Sequence, residues 1–343
     1  MTMTNFPGGI TSFGVPVLGG VGGIPFTGNY FFVDPVAGAD GNDGTPELPL
    51  KTLYAAHRKM TAGNNDVAII VGDGATTGTA RLSNALAQAD AIAGGTTVTV
   101  GTLVWSKNAC HIVGMTAPSM AKRARISNVT TETLTTFGSG NLVSVTASGC
   151  CFGNFSVFQG LATGGASEIA WTDSGGRNYY DSVEFLGGGD AASTGASVAT
   201  MRSLLVTGST GENVFNNCVI GLDTSPRSTG SQELEFAGNS PRNVFRNCII
   251  ATSAGAVGCF WMKIGASGID RYVLFDNCTF TNNVIGGASA MTTGFSVNAS
   301  PGGAVLLKNC LTYGATKIDT SQGTYGNTAN AASLSGLSVA SSA

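Results

Sequence analysis

Six carboxylates lie close enough along the chain to do acid–base chemistry together. Asp181 and Glu184 are three residues apart, with Glu168 and Asp173 upstream, and Glu233 and Glu235 are separated by one residue, so an extended strand would aim both at one face. Paired carboxylates of this kind cleave glycosidic bonds or hold calcium. These six do not converge on one motif. They read as solvated exterior charges, and the expectation is a chain with no catalytic residue, not an enzyme. Asp40 and Asp43 sit beside glycines and Asp34 before Pro35, at a spacing that fits no known calcium loop, so all three read as turn formers. His57, placed on the polar side of a short helix, and His111, within "ACHIVG", have no nucleophile or ligand partner at a useful spacing. No metal site and no cofactor is expected.

The eight cysteines could carry thiolate or metal chemistry, yet no CxxC pair occurs and their spacing has another explanation. Asn217-Cys218, Asn247-Cys248, Asn277-Cys278 and Asn309-Cys310 recur 30, 30 and 32 residues apart, and Phe215, Phe245, Phe275 or Leu307 stands two positions before each Asn. Looser copies occur at "FGNFSV" (Phe152 to Val157) and "YDSVEF" (Tyr180 to Phe185). A period of this size is the signature of a coil that cannot bury its inward face alone and must stack on its neighbours.

In a straight strand Phe245 and Cys248 would face opposite ways, although both positions are apolar in the clear copies. The conflict disappears if Asn247 adopts a left-handed conformation, turns a corner and restarts the alternation. Phe then points inward, Arg246 outward, and Cys248 inward. Stacked in parallel at about 4.8 Å per step, the cysteines become an internal ladder of small hydrophobes and the asparagines a corner ladder of amides. Apolar runs upstream of each corner, such as "LVSV", "SLLV" and "FWMKI", supply a further strand, giving about three short strands per repeat. The pattern is that of an all-β parallel β-helix of about eight coils.

Composition agrees. Only 11% of residues are charged and 50 are Gly, against about 25% charged in an ordinary domain, so Ser, Thr, Asn and Gly must cover much of the surface. A net charge of −3 with 17 scattered basic residues offers no stripe for nucleic acid and no patch for lipid. Before Asp34 the chain has no charged side chain, which is unlike the basic start of a signal peptide, and Gly and Pro interrupt that stretch too often for a membrane span.

Thr52 is placed to cap a helix from Leu53 to Met60, whose Leu53, Ala56 and Met60 would close the open end of the coil stack. The stretch "FFVDPVAGADGNDGTPELPLKTLYAAHRK…DVAIIVGDG" resembles the first segment of right-handed parallel β-helix proteins of the pectate-lyase-like superfamily, which includes bacteriophage tailspikes and virion decoration proteins. With the Asn-cornered coils, the resemblance spans residues 29–320. It implies a right-handed helix divided into an extended Gly-rich attachment arm (1–28), a segment with the capping helix (29–75), the β-helix itself (76–320) and a small-residue tail (321–343). The arm presents Phe6, Pro7, Ile10, Phe13, Val15 and Val17 for contact with another protein chain. On this resemblance the expected function is a non-enzymatic bacteriophage virion protein on the exterior of the particle. It would decorate or cement the capsid as a homotrimer bound to the major capsid protein or another virion protein. A tailspike or fibre that binds or cleaves a host surface polysaccharide is the first alternative, and a free carbohydrate lyase the second. Neither nucleic acid nor membrane is an expected partner.

Overall fold

The computed structural model describes residues 26–72, 102–117, 119–120, 122–127, 141–160, 169–188, 201–228, 230–284 and 287–319, and the backbone of short strands at 11–12, 15–16, 88–91, 98–100 and 324–325. Three parallel sheets wind into a right-handed β-helix. Sheet 1 runs from Leu103–Trp105 through Ile169–Asp173, Arg202–Val206, Gln232–Phe236 and Phe260–Ile264 to Ala315–Asp319. Sheet 2 starts earlier, at Tyr30–Val33 and Val67–Val71, and continues through Tyr179–Asp181, Val214–Asn216, Ser240–Arg246 and Ile269–Asp276 to Thr324–Tyr325. Sheet 3 runs from Arg125–Ser127 to Leu311–Tyr313. Seven coils carry a strand in all three sheets, slightly fewer than the eight expected, because the described residues before Leu103 add strands to sheet 2 only.

The corner between sheets 2 and 3 explains the repeat. Asn154, Asn217, Asn247, Asn277 and Asn309 have φ between 52° and 58°, and Ser182 takes the same place at 55°. On either side, Phe215, Phe245 and Phe275 have no exposed surface, and Cys218, Cys248 and Cys278 are 1% exposed. Leu307 is buried as well, whereas Cys310, in the last complete coil, is only half-buried. Arg246 points to solvent. The amides bond from rung to rung: Asn277 Nδ2 donates to Asn247 Oδ1 at 2.7 Å. Inside, Phe152, Tyr180, Phe215, Phe245 and Phe275 form one continuous stack, with centroids 4.4 to 4.9 Å apart. Each such pair adds about 0.5–1.5 kcal/mol beyond the area it buries.

The N-terminal end is closed by helix α1, Leu53–Lys59. Thr52 Oγ1 accepts from Ala55 N at 3.1 Å, and Asp40 in turn accepts from Lys51 N, Thr52 N and the Thr52 hydroxyl. Leu53, Ala56 and Met60 pack on the first coil. At the helix C-terminus, Lys107 Nζ donates to the carbonyls of His57, Arg58 and Met60, where a cation meets both orphan acceptors and the negative end of the dipole. His57 is not on a solvated face. It is buried, its ring lies 4.7 Å from that of Trp105, and its Nε2 accepts from Ser106 N at 3.2 Å. The reason is that the sheet 1 strand rises beside the helix and covers a second side of it.

The arm is not simply extended, because Thr11–Ser12 pairs antiparallel with Val15–Pro16. Phe6, Pro7, Ile10, Phe13, Val17 and the side chain of Val15 lie outside the described residues. Among the described residues no helix is long and apolar enough to cross a membrane.

Candidate functional site

The six candidate carboxylates separate into different environments. Asp181, on the outer face of sheet 2, accepts from Asn216 Nδ2 at 3.0 Å and Asn217 Nδ2 at 3.3 Å, so it begins the corner amide ladder. Glu168 lies outside the described residues. Asp173 points into the core, fully buried, and accepts from Tyr180 Oη (2.6 Å), Asn178 Nδ2 (3.1 Å) and the Gly175 and Gly176 amides. Burial raises its pKa even though every one of these hydrogen bonds acts to lower it.

Glu184 is covered on the outer face of sheet 3, paired with Lys122 Nζ at 3.4 Å and accepting from the Ser156 hydroxyl. Glu233 has no exposed surface either. It accepts from Arg227 Nε (2.9 Å), Ser203 Oγ (2.6 Å) and Thr252 Oγ1 (3.0 Å), while Arg227 spends its other donors on the Gly187 and Gly188 carbonyls at 2.7 Å. The reading of all six as solvated exterior charges is therefore corrected: Asp173, Glu184 and Glu233 are buried, and each is satisfied as a buried carboxylate must be.

Glu233 and Glu235 do not share a face, although strict alternation demands it. At the start of the sheet 1 strands the chain turns the corner from sheet 3, and there consecutive residues both enter the core, as Leu142 with Val143 and Trp261 with Met262 show. Glu233 occupies the corner position and Glu235 the outer face. Only 8% of Glu235 is exposed.

On that outer face Glu235 meets residues from neighbouring coils. Its Oε2 pairs with Arg202 Nε and accepts from Gln232 Nε2 at 3.1 Å. Lys263 is its register partner in the next strand, Leu205 in the previous one, and Thr172 lies one strand further back. Gln232 Oε1 and Thr172 Oγ1 are buried and make no protein hydrogen bond. The arrangement places a carboxylate, a guanidinium, an ammonium and two unsatisfied oxygen acceptors on one sheet face. Chemically, it can hold hydroxyl-rich ligands and move a proton at Glu235.

Sequence reasoning reached Glu235 but not Arg202, Gln232 or Lys263. Their sequence positions, 30 and 28 residues either side of Gln232 to Glu235, follow the coil period, so a search for charged residues at that spacing in the sheet 1 strands could have found them. Asp34 accepts from the Val36 and Ala37 amides, a turn role, whereas Asp40 instead braces the helix cap through Lys51 and Thr52, eleven and twelve residues on. His111 is buried beneath Phe26, with ring centroids 4.4 Å apart. All eight cysteines are free, and burial pushes the Cys110 and Cys151 thiols up to about 11, away from thiolate chemistry. Among the described residues no group of three or more His, Cys, Asp or Glu side chains could hold a metal ion.

No protein-family model matches the chain. No curated protein matches it in sequence. Solved structures do match in shape. A pectate lyase, Pel9A, superposes with a TM-score of 0.55 at 13% identity, covering 85% of this chain and 64% of its own; the chain thus spans less than two thirds of that enzyme. A rhamnogalacturonan lyase gives 0.53 at 17% identity, covering 83% and 68%. Pectin methylesterase PemA from Erwinia chrysanthemi gives 0.52 at 12% identity, covering 93% and 94%. Against this company of polysaccharide-active enzymes the expectation of a non-enzymatic chain is withdrawn. At these identities the likeness is one of fold: the chain shares a right-handed parallel β-helix with these enzymes.

Proposed function

We propose that the chain binds and cleaves a polysaccharide on the outer face of sheet 1, with Glu235 as the proton-transferring group and Arg202 beside it. The observation that carries this reading is the convergence of Glu235, Arg202, Gln232 and Lys263 across neighbouring coils. In a chain with 11% charged residues, an outward carboxylate–guanidinium pair next to unsatisfied buried acceptors asks for a ligand. A sugar hydroxyl or carboxylate can meet Arg202 and Lys263, the partly exposed members of the group. Glu235, as a carboxylate beside Arg202, can take a proton from the ring carbon next to a sugar carboxyl group. The freed electron pair forms a ring double bond as the glycosidic C–O bond breaks, while Arg202 and Lys263 offset the negative charge that builds on the carboxyl group.

The fold neighbours support a carbohydrate setting, and a host-surface polysaccharide is the expected setting that suits it. Capsid decoration gains no support from them. The test is release of new reducing ends from a panel of charged and neutral polysaccharides. Glu235→Gln should lower turnover by about 10²-fold or more while the melting temperature holds. No turnover by the unaltered chain on any glycan it binds would leave a binding protein, and turnover untouched by Glu235→Gln would move the site elsewhere.

A further inference from the structure

One register position on the outer face of sheet 2 is apolar for most of its length. It runs from Val67 through His111, Cys151 and Tyr179 to Val214, Val244, Leu274 and Leu306. A solvated sheet face ordinarily carries polar residues, and the next outward column does: Asp181, Asn216, Arg246, Asp276 and Lys308. The two ends of the apolar column differ. Phe26 lies over the first part, stacked on His111 at 4.4 Å and packed with Val67 and Cys151, and Tyr30 Oη donates to its carbonyl at 3.1 Å. From Tyr179 onward the column is half-buried.

The chain therefore already places one apolar residue on this column, at the point where residues 1–25 join the coils. Those 25 residues contain no charged side chain and include Phe6, Ile10, Phe13, Val15 and Val17. The uncovered column spans about 20 Å at the strand spacing, whereas 25 residues reach up to about 80 Å, so even a folded-back segment is long enough. We propose that residues 1–25 dock along this column, continuing the contact that Phe26 begins. An uncharged segment suits the place, because it covers Val214, Val244 and Leu274 without desolvating an ion. This inference stands apart from the glycan reading, which concerns sheet 1.

The test uses the full chain with a photo-reactive p-benzoylphenylalanine at position 13. Crosslinks within one chain to peptides holding Val214, Val244 or Leu274 are expected, and Val244→Lys with Leu274→Lys should abolish them. Should that pair fail to fold, a second measurement decides: the rate at which Leu274→Cys reacts with a bulky maleimide should rise several-fold when Phe13→Asp and Val15→Asp are added. Crosslinks to a second copy, crosslinks off the column, or an unchanged labelling rate would each overturn the proposal.

Discussion

Asn247 shows how much of the molecule rests on single residues. Its φ of 53° lets Phe245 and Cys248 enter the same core across a three-residue spacing, and its amide links the rungs on either side through Asn216 and Asn277. A β-branched residue tolerates that conformation poorly, whereas Gly adopts it freely. Asn247→Val should therefore destabilise the chain by about 1–2 kcal/mol or more, and Asn247→Gly by less, measured by guanidinium denaturation. Equal losses from both variants would mean that the ladder bond, not the backbone, holds the corner. This corner was legible because Phe, Asn and Cys recur with little change. The acid cluster was not: Glu233 needs Arg227, Ser203 and Thr252 from separate parts of the chain, and nothing in the local sequence announces that they meet.

At the scale of elements, the N-terminal cap is held by both histidines of the chain. His57 pins helix α1 to the first coil, and His111 lies between Phe26 and the sheet. Burial lowers each pKa to about 4; Lys107 reinforces this at His57, and Asp66 opposes it at His111. Both are thus neutral in the folded chain but protonate near 6.5 once unfolded. Their contribution is present in full above about pH 6.5 and is lost as pH falls toward 4, because only the unfolded state takes up protons in that window. Asp173, whose pKa is raised by burial, has the opposite sign: it stabilises at low pH and loses this as pH rises through its folded pKa. The readout is accordingly a difference between chains. The melting temperature of the unaltered chain should drop more from pH 7 to pH 4.5 than that of His57→Gln/His111→Phe, and parallel curves would remove the histidines from the account. The capping helix itself was readable from Thr52 and the spacing of Leu53, Ala56 and Met60. The burial of His57 was not, since it depends on Trp105, 48 residues away.

The whole molecule is a one-dimensional stack, and its stability should behave that way. Each coil touches its two neighbours through the three sheets and the aromatic column, so a lost contact in the middle weakens the coupling between the coils on either side. The period of about 30 residues made this architecture visible in the sequence. The face proposed to meet a glycan was not visible, because any face of a β-helix can carry side chains outward, and the meeting of Arg202, Gln232 and Glu235 on sheet 1 joins residues a full coil apart. Phe245 sits mid-stack, 4.4 Å from Phe215, 4.8 Å from Phe275 and edge-on to Phe236 at 5.9 Å. Phe245→Ala should cost about 3–5 kcal/mol through lost burial and the cavity left behind. Leu307, by contrast, lies in the last complete coil, against Phe275 on one side. Leu307→Ala should loosen that coil and leave the main transition near its original midpoint. For Phe245→Ala the expected denaturation curve separates into two steps, one for the coils on each side of the break. A single transition, shifted but as steep as before, would instead mean that the coils unfold as one cooperative block and that the nearest-neighbour picture is wrong.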